Sequence, residues 1–199
     1  MLMPAFHQWP DEAAIVGRLL VDYGELEFDL ALCMGYAISN RRQGLRDFFK
    51  TRGAKTRIEM AEAKSSPWMR LTGVRDEFEE GIAAMRECKG IRNGFAHCHW
   101  ASEKHNLKTD GLYFVNVEDW AKSPGIAFQW QHASLQRLQE LEAYYRYTHE
   151  CLLHVLAAIS TQRGQPYLGN CPMPSKRPAP AATSPVSSEA ATLLAQYNI

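Results

Sequence analysis

The chain has 199 residues, of which 46% are hydrophobic, and its 22 basic residues balance its 22 acidic ones. This length and apolar content fit one domain of ordinary size with a sizeable core, and the zero net charge gives the whole chain no general attraction to polyanions. It has neither an apolar run of about eighteen residues nor a basic-then-apolar leader, so we expect no membrane span and no signal peptide. The five scattered cysteines predict free thiols in a reducing cytoplasm.

The first part of the chain has the periodicity of helices. Apolar residues recur at helical spacing between Asp11 and Ile38, which predicts a long amphipathic helix, capped by Asp11, that ends near Ser39. A second helical region follows, and we expect a break in that region near Gly53. The Ser-Ser-Pro sequence that ends at Pro67 predicts a loop before the next helix.

The second part combines further helices with a short β-hairpin. A helix is predicted over 74–97, and a last long helix follows Ser134, whose side chain can cap it. Two short runs between these helices, 112–117 and 126–131, are rich in aromatic and β-branched residues and are separated by a Ser-Pro-Gly turn. The runs therefore predict the two strands of a hairpin.

Proline and small residues dominate the end of the chain. Residues 171–192 hold five of the ten prolines, with alanine and serine between them. Such a composition buries too little apolar surface to offset the entropy lost on ordering, so we expect 166–199 to be a disordered tail. The predicted fold of 1–165 is mainly α, an up-down helical bundle with a small β-hairpin inserted before the last long helix.

One segment carries a candidate active site. Residues 91–100 have the sequence Ile-Arg-Asn-Gly-Phe-Ala-His-Cys-His-Trp. On a helix Asn93 and His97 share a face, with Arg92 beside them, although Gly94 lowers helix propensity by about 1 kcal/mol and predicts an end or a kink. A guanidinium can grip a phosphate through two hydrogen bonds, and an imidazole can move protons near neutral pH. The set suits a phosphodiester; the alternative is a helix end whose Arg and His only satisfy carbonyls and a nearby acid.

The pattern Arg92-Asn93-x-x-x-His97, together with a long first helix and a bundle layout over 11–162, resembles the HEPN family. The resemblance implies a compact HEPN-like helical bundle that forms a homodimer, in which two copies of the motif face each other across a cleft. Many members of the family are metal-independent endoribonucleases of toxin–antitoxin, phage-defence and RNA-processing systems. Others have lost activity and serve as binding modules.

The resemblance also implies roles for individual residues. His97 would act as general base or acid at the RNA 2′-OH, Arg92 would stabilise charge on the phosphate, and Asn93 would orient the pair. An acidic or polar residue on the first helix would lie near the motif; the candidates are Glu25, Glu27 and Asp29, with Glu27 the first choice. His99 is a supporting candidate near the cleft entrance. No metal and no cofactor would be needed, and cleavage would leave a 2′,3′-cyclic phosphate.

A basic stretch precedes the motif. Seven basic residues, against the single acid Asp47, occur between Arg41 and Arg57. The stretch could follow an RNA backbone, or it could be a solvated helix face balanced by the acidic residues of 76–80. The zero net charge favours the second interpretation.

Cysteines and histidines near the motif do not predict a metal or thiol site. Cys88, Cys98, His99 and His105 lack the usual zinc-ligand spacings, and adjacent residues do not easily reach one tetrahedral ion. Neither cysteine has the setting of a catalytic nucleophile. Trp100 could stack on a base, but a packing role in the core or against the hairpin is favoured.

Two hypotheses of different classes follow. The first is an HEPN-like endoribonuclease, a toxin or phage-defence effector that acts as a cytoplasmic homodimer on RNA, with a cognate antitoxin or another partner protein. The second is a catalytically inactive HEPN-like module that binds RNA, a nucleotide or a partner protein. Retention of Arg92, Asn93 and His97 together favours the first hypothesis, whereas the neutral net charge favours the second.

Overall fold

The computed structural model describes residues 5–101, 111–122, 130–164 and 169–178. Over these ranges the chain forms seven helices and three strands. In chain order they are α1 (Ala5–Gln8), α2 (Pro10–Ala37), α3 (Arg41–Lys50), α4 (Ala54–Thr72), α5 (Arg75–Ala96), β1 (Cys98–Ala101), β2 (Leu112–Asn116), α6 (Val117–Lys122), β3 (Gln131–Ala133) and α7 (Leu135–Gln162). The predicted fold class, mainly helical with a small antiparallel β element before the last long helix, is confirmed. None of the described helices combines the length and apolar character needed to cross a bilayer.

The ends of the predicted helices have local causes. Helix α2 starts at Pro10, whose fixed φ suits a first helical position, so Asp11 lies in the first turn rather than at the cap. The chain leaves α2 through Ser39, which has a φ of 60°. Gly53 separates α3 from α4 with a φ of 83°, so the break predicted there is confirmed. Ser134 accepts a hydrogen bond from the backbone N–H of Arg137 and caps α7 as predicted.

The loop predicted at the Ser-Ser-Pro sequence is wrong, because α4 continues through Pro67. One face of this helix is buried, through Ile58, Ala61, Ser65 and Met69. Proline removes one helical hydrogen bond, but the apolar burial on both sides of it holds the turn in place. Packing therefore outweighs the local preference of the sequence.

The sheet has three strands instead of the two predicted. Its order is β1-β2-β3 with antiparallel pairs, and His99 lies opposite Val115 while Tyr113 lies opposite His132. Strand β2 covers most of the predicted run 112–117. Strand β3 begins at the end of the second predicted run, whose residues 126–129 lie outside the described ranges. The additional strand is β1, which directly follows α5.

The described residues divide into two compact units. The first contains those of Met1–Leu20 and Ile91–Glu142, and the second those of Val21–Gly90 and Ala143–Pro178. In the first unit the sheet is covered by side chains on both faces, since residues 112–115 of β2 are all buried. On one face Tyr113, Val115 and Trp130 form a cluster with Ala101. Aromatic contacts involving Phe114 cover the other.

The core of the second unit consists of large side chains from α2, α3, α4, α5 and α7. Fully buried members include Leu26, Leu30, Met34, Phe48, Ile58, Met69, Phe78, Ile82, Met85, Leu152 and Ile159. They recur at the helical spacing predicted for these segments. Three tyrosines of α7, Tyr144, Tyr145 and Tyr147, are buried as well.

Residues 169–178 have no helix or strand, and Arg177 connects them to α5 and α7. Its guanidinium donates hydrogen bonds to the Tyr144 hydroxyl and lies 3.4 Å from a carboxylate oxygen of Glu80. The remainder of the predicted tail, 179–199, lies outside the described residues, and its disorder stays a prediction.

Candidate functional site

Helix α5 carries the first two motif residues on its last turns. It continues through Gly94 to Ala96, so the helix does not end at the glycine, and His97 is the first residue after it. The Nη1 atom of Arg92 donates a 3.0 Å hydrogen bond to Oδ1 of Asn93. The structure thus couples Arg92 to Asn93 directly and places His97 at the helix end that follows them.

Aromatic packing fixes this helix end on the sheet. Phe95 is buried, and its ring centroid lies 5.4 Å from those of Trp100 on β1 and Phe114 on β2. Trp100 also contacts Phe6 of α1 and Phe114. Since Phe95 lies within the motif, its burial limits how the neighbouring turn can move. The same contacts assign Trp100 the packing role favoured by the sequence.

A carboxylate lies beside the motif histidine. Strand β1 pairs with β2 so that Cys98 is opposite Asn116, and this register continues to bring His97 to the start of α6. There the Nδ1 atom of His97 lies 3.1 Å from Oε1 of Glu118. The side chains remain 43% and 57% exposed, so the pair is open to solvent and to a ligand.

The His97–Glu118 contact favours a proton on Nδ1, the nitrogen next to the carboxylate. With the proton on Nδ1, Nε2 keeps its lone pair and can accept a proton from a substrate. When the ring becomes an imidazolium, the same carboxylate lies next to the positive charge. A base held in one orientation by a third group is the arrangement that proton-transfer catalysis uses.

Arg92 supplies positive charge on the same segment. Its side chain is partly exposed, and within the described ranges no carboxylate forms an ion pair with it. A guanidinium without a carboxylate partner keeps its capacity for an external anion. The motif therefore combines an oriented base with an available cation.

Comparisons of this chain with protein-family models, with curated proteins and with solved structures found no match.

Two acids of α2, Glu27 and Asp29, have partners other than the motif. Glu27, the first candidate for a supporting acid, is buried on α2 and forms a 2.6 Å ion pair with Arg57. Asp29 lies 2.7 Å from Nδ1 of His149. The acid that contacts the motif histidine is Glu118, which the sequence analysis did not select. Identifying Glu118 from the sequence would have required knowing that β1 forms and how it pairs with β2, because 21 positions separate Glu118 from His97 along the chain.

His99, the second supporting candidate, lies on the opposite face of β1 from Trp100, because side chains alternate along a strand. Its ring lies edge-on to Trp130, with centroids 6.3 Å apart. The side chain is exposed, but its ring contact is with the cluster of Tyr113, Val115 and Trp130. The structure thus gives His99 a different immediate environment from His97.

In the described part of the chain, the basic residues of 41–57 form no ion pairs with the acidic residues of 76–80, which the sequence suggested as their counter-charges. Two residues of the basic stretch form ion pairs, Lys55 with Glu59 and Arg57 with Glu27. The acidic residues of 76–80 instead contact other partners, since Glu79 binds Arg75 and Glu80 lies near Arg177. Most of the remaining basic residues of the stretch, among them Arg42, Arg46, Lys50 and Arg52, are exposed.

Three of the five thiols have the environment of structural cysteines. The structure describes all five cysteines and shows no disulfide among them, as predicted, and Cys33, Cys88 and Cys151 are buried. Burial raises the pKa of the Cys88 thiol to about 12, so it stays protonated and weakly nucleophilic near neutral pH. No group of three or more His, Cys, Asp and Glu side chains in the described ranges is arranged to hold a metal ion, and His105 lies outside those ranges.

Proposed function

We propose that this chain is a metal-independent endoribonuclease of HEPN type. The observation that carries the proposal is the contact between His97 and Glu118 at the end of the helix that bears Arg92 and Asn93. An oriented imidazole, an available guanidinium and an amide on one segment supply what phosphodiester cleavage through the neighbouring 2′-OH requires.

The proposed reaction is an in-line transfer of the phosphoryl group within the RNA. Nε2 of His97 accepts the proton of the 2′-OH, the 2′ oxygen forms a bond to phosphorus, and the bond from phosphorus to the 5′ oxygen breaks. The departing 5′ oxygen lies on the far side of phosphorus and takes a proton from water, and the imidazolium then returns its own proton to solvent. The products are a 2′,3′-cyclic phosphate and a 5′-hydroxyl end. The proposed reaction involves no oxidation or reduction and needs no metal ion.

Arg92 and Asn93 have distinct roles in this proposal. The Arg92 guanidinium stabilises the negative charge that builds on the non-bridging phosphate oxygens, an effect that preorganised donors provide strongly in active sites. Asn93 accepts one guanidinium hydrogen at 3.0 Å and restricts the orientations of Arg92. Glu118 holds the ring of His97 and is a positioning residue, because it acts through the histidine.

We also propose that the active form is a cytoplasmic homodimer that serves as a toxin or phage-defence effector, with a cognate antitoxin or other partner protein. Resemblance to the HEPN family, in which two motif copies face each other, supports the dimer and these roles. Light scattering coupled to size-exclusion chromatography tests the dimer directly. A mass of two chains is expected. A mass of one chain at micromolar concentration would contradict the proposed dimer, in which two copies of the motif face each other.

The decisive experiment is cleavage of a mixed RNA panel in EDTA by the full chain and its variants. His97→Ala and Arg92→Ala should each lose cleavage by at least about 100-fold, the lower range for loss of an acid–base group or an anion-stabilising donor. His7→Ala and Arg70→Ala are matched controls, since both residues are exposed and neither belongs to the motif. Mass spectrometry of the products should detect the 2′,3′-cyclic phosphate.

Three outcomes distinguish the alternatives. Cleavage that persists in EDTA and disappears in both motif variants supports the nuclease and both assigned roles. Cleavage unchanged by His97→Ala contradicts the assignment of this site. A well-folded wild type that binds RNA without cleaving it would instead make the chain an inactive HEPN-like binding module, which is the alternative function.

A further inference from the structure

The second unit contains a cavity that is separate from the motif residues. Its volume is about 500 Å³, and its lining includes three arginines, Arg41, Arg42 and Arg163, but no acidic residue. Arg41 and Arg42 begin α3, and Arg163 directly follows α7. We call it the arginine cavity.

The chain is shaped locally to form this cavity. Gly44 of α3 lies against Gly35 of α2 so closely that a Cβ on Gly44 would stand 2.4 Å from the Gly35 Cα. Ser39 turns the chain with a φ of 60°, and Asn40 caps α3 by accepting a hydrogen bond from the Gln43 backbone N–H. The close approach of the two helices and the rigid turn hold the first residues of α3 beside the end of α2.

The side chains of Arg163 and Arg41 each contact other residues of the second unit. Arg163 stacks on Trp68, with its guanidinium carbon 3.5 Å from the ring centroid, and donates a 2.9 Å hydrogen bond to the carbonyl of Ala37. Its Nε is buried without a hydrogen-bond partner. Arg41 donates a 3.2 Å hydrogen bond to the Tyr36 hydroxyl. Both guanidinium groups are therefore positioned by neutral groups, and their charge is not neutralised.

Charge in the cavity is unbalanced. Arg41 and Arg42 are exposed, Arg163 is partly buried, and none of the three arginines forms an ion pair with a carboxylate anywhere in the described ranges. Like charges that line one small cavity repel one another. An anion that entered the cavity would relieve this repulsion and would meet donors already held in place.

We propose that the arginine cavity binds a small phosphorylated molecule with at least two phosphate groups, such as a nucleoside diphosphate. Guanidinium forks match phosphate oxygens in geometry, and three of them match a multiply charged group better than a single carboxylate. The volume lies in the ordinary range for small-molecule sites. Ser39 and Asn40, which also line the cavity, add polar side chains beside the first turn of α3.

This inference is independent of the proposed nuclease, because none of its residues belongs to the motif. A chain without ribonuclease activity could still bind the phosphorylated ligand, and an active nuclease could fail to bind it. The two proposals are therefore tested by separate measurements on the same protein.

The test is isothermal titration of the full chain with ADP, inorganic pyrophosphate and adenosine at an ionic strength of about 0.1 M. ADP and pyrophosphate should bind and compete for one site, whereas adenosine should not bind measurably. Arg42→Ala removes one charge-assisted contact and should weaken ADP binding by about tenfold or more. Arg163→Lys keeps the charge but loses the planar fork, and it should also weaken binding.

Arg46→Ala is the matched control. Arg46 is an exposed arginine one turn further along α3 and does not line the cavity, so its loss should change ADP binding by less than about twofold. Thermal unfolding verifies that each variant is folded. Absence of saturable ADP and pyrophosphate binding, adenosine binding as tight as that of ADP, or an equal effect of Arg46→Ala and Arg42→Ala would each overturn the proposal. Binding of an RNA oligonucleotide that Arg42→Ala weakens, without any binding of ADP, would assign the arginines to a macromolecule and would overturn it as well.

Discussion

Nδ1 of His97 lies 3.1 Å from Oε1 of Glu118, although 21 positions of the chain separate the two residues. The contact follows from the pairing of β1 with β2, which aligns the residue before one strand with the residues after the other. It places a carboxylate beside the motif histidine while leaving much of its ring accessible.

If the pair works as proposed, Glu118→Ala should lower kcat for RNA cleavage by roughly tenfold to hundredfold, a part of the ~100- to 10 000-fold that acid–base catalysis supplies. Glu118→Gln keeps an oxygen acceptor for the Nδ1 proton and should lose less. KM should change little, because Glu118 is not proposed to contact RNA. Steady-state kinetics on one fluorescent RNA measures kcat and KM for the wild type and for both Glu118 variants.

Stability provides the control for this prediction. Both side chains are about half exposed, so the ion pair should contribute less than about 1 kcal/mol to folding. Denaturant unfolding should therefore give nearly the same free energy for the wild type and both Glu118 variants. A large fall in that free energy, or a rise in KM that accounts for the whole kinetic loss, would argue against a positioning role.

The contact between α2 and α3 should tolerate no side chain at Gly44. A Cβ there would stand 2.4 Å from the Cα of Gly35, a backbone atom that does not move alone, so Gly44→Ala should lower the free energy of unfolding by about 1–3 kcal/mol. Gly90→Ala is the matched control, since Gly90 is exposed on α5 and a Cβ there meets nothing within 4 Å. That variant should raise the free energy by about 0.5–1 kcal/mol through helix propensity. Equal effects of the two substitutions in urea titrations would contradict the close approach.

The five thiols should separate into two classes by reactivity. Burial raises the pKa of Cys88 to about 12 and that of Cys151 to about 11, and it raises the pKa of the fully buried Cys33 further. These three should resist iodoacetamide in the folded protein at pH 8, whereas the partly exposed Cys98 and Cys171 should react. Peptide mass spectrometry before and after unfolding gives the modified positions. Modification of Cys88 at the rate of Cys98 in native protein would contradict its burial.

His149 should make stability depend on pH. A hydrogen bond with Asp29, assisted by the charges of that residue, Glu150 and Glu25, raises the pKa of His149 above its ordinary value of 6.5 despite partial burial. A histidine whose pKa is raised by folding stabilises the protein below the unfolded pKa, and this contribution disappears as the pH rises through the folded pKa.

Because the imidazole is 44% exposed, solvent screening limits this contribution to about 0.5–1 kcal/mol. His149→Gln should therefore lower the free energy of unfolding more at about pH 6 than at about pH 9, where the wild-type imidazole is neutral. Urea unfolding at both values measures the difference, and His7→Gln serves as an exposed-histidine control. A loss that is the same at both values would contradict the raised pKa.

Much of the helical layout could be predicted from the chain alone. The apolar spacing between Asp11 and Ile38 predicts α2, Gly53 predicts the break between α3 and α4, and Ser134 predicts the start of α7. These features depend on neighbours within one or two helical turns, so a single sequence contains the information. The motif Arg92-Asn93-x-x-x-His97 could be selected in the same way.

Tertiary structure alone decided the features that depend on distant residues. Pro67 stays inside α4 because the buried face on both sides of it outweighs one missing hydrogen bond. Glu118 becomes the neighbour of His97, and Glu27 becomes the partner of Arg57, through pairings that join residues far apart along the chain. Local periodicity determines which segments are helical, whereas strand register and helix packing determine which charged side chains meet, because those contacts depend on the positions of whole elements.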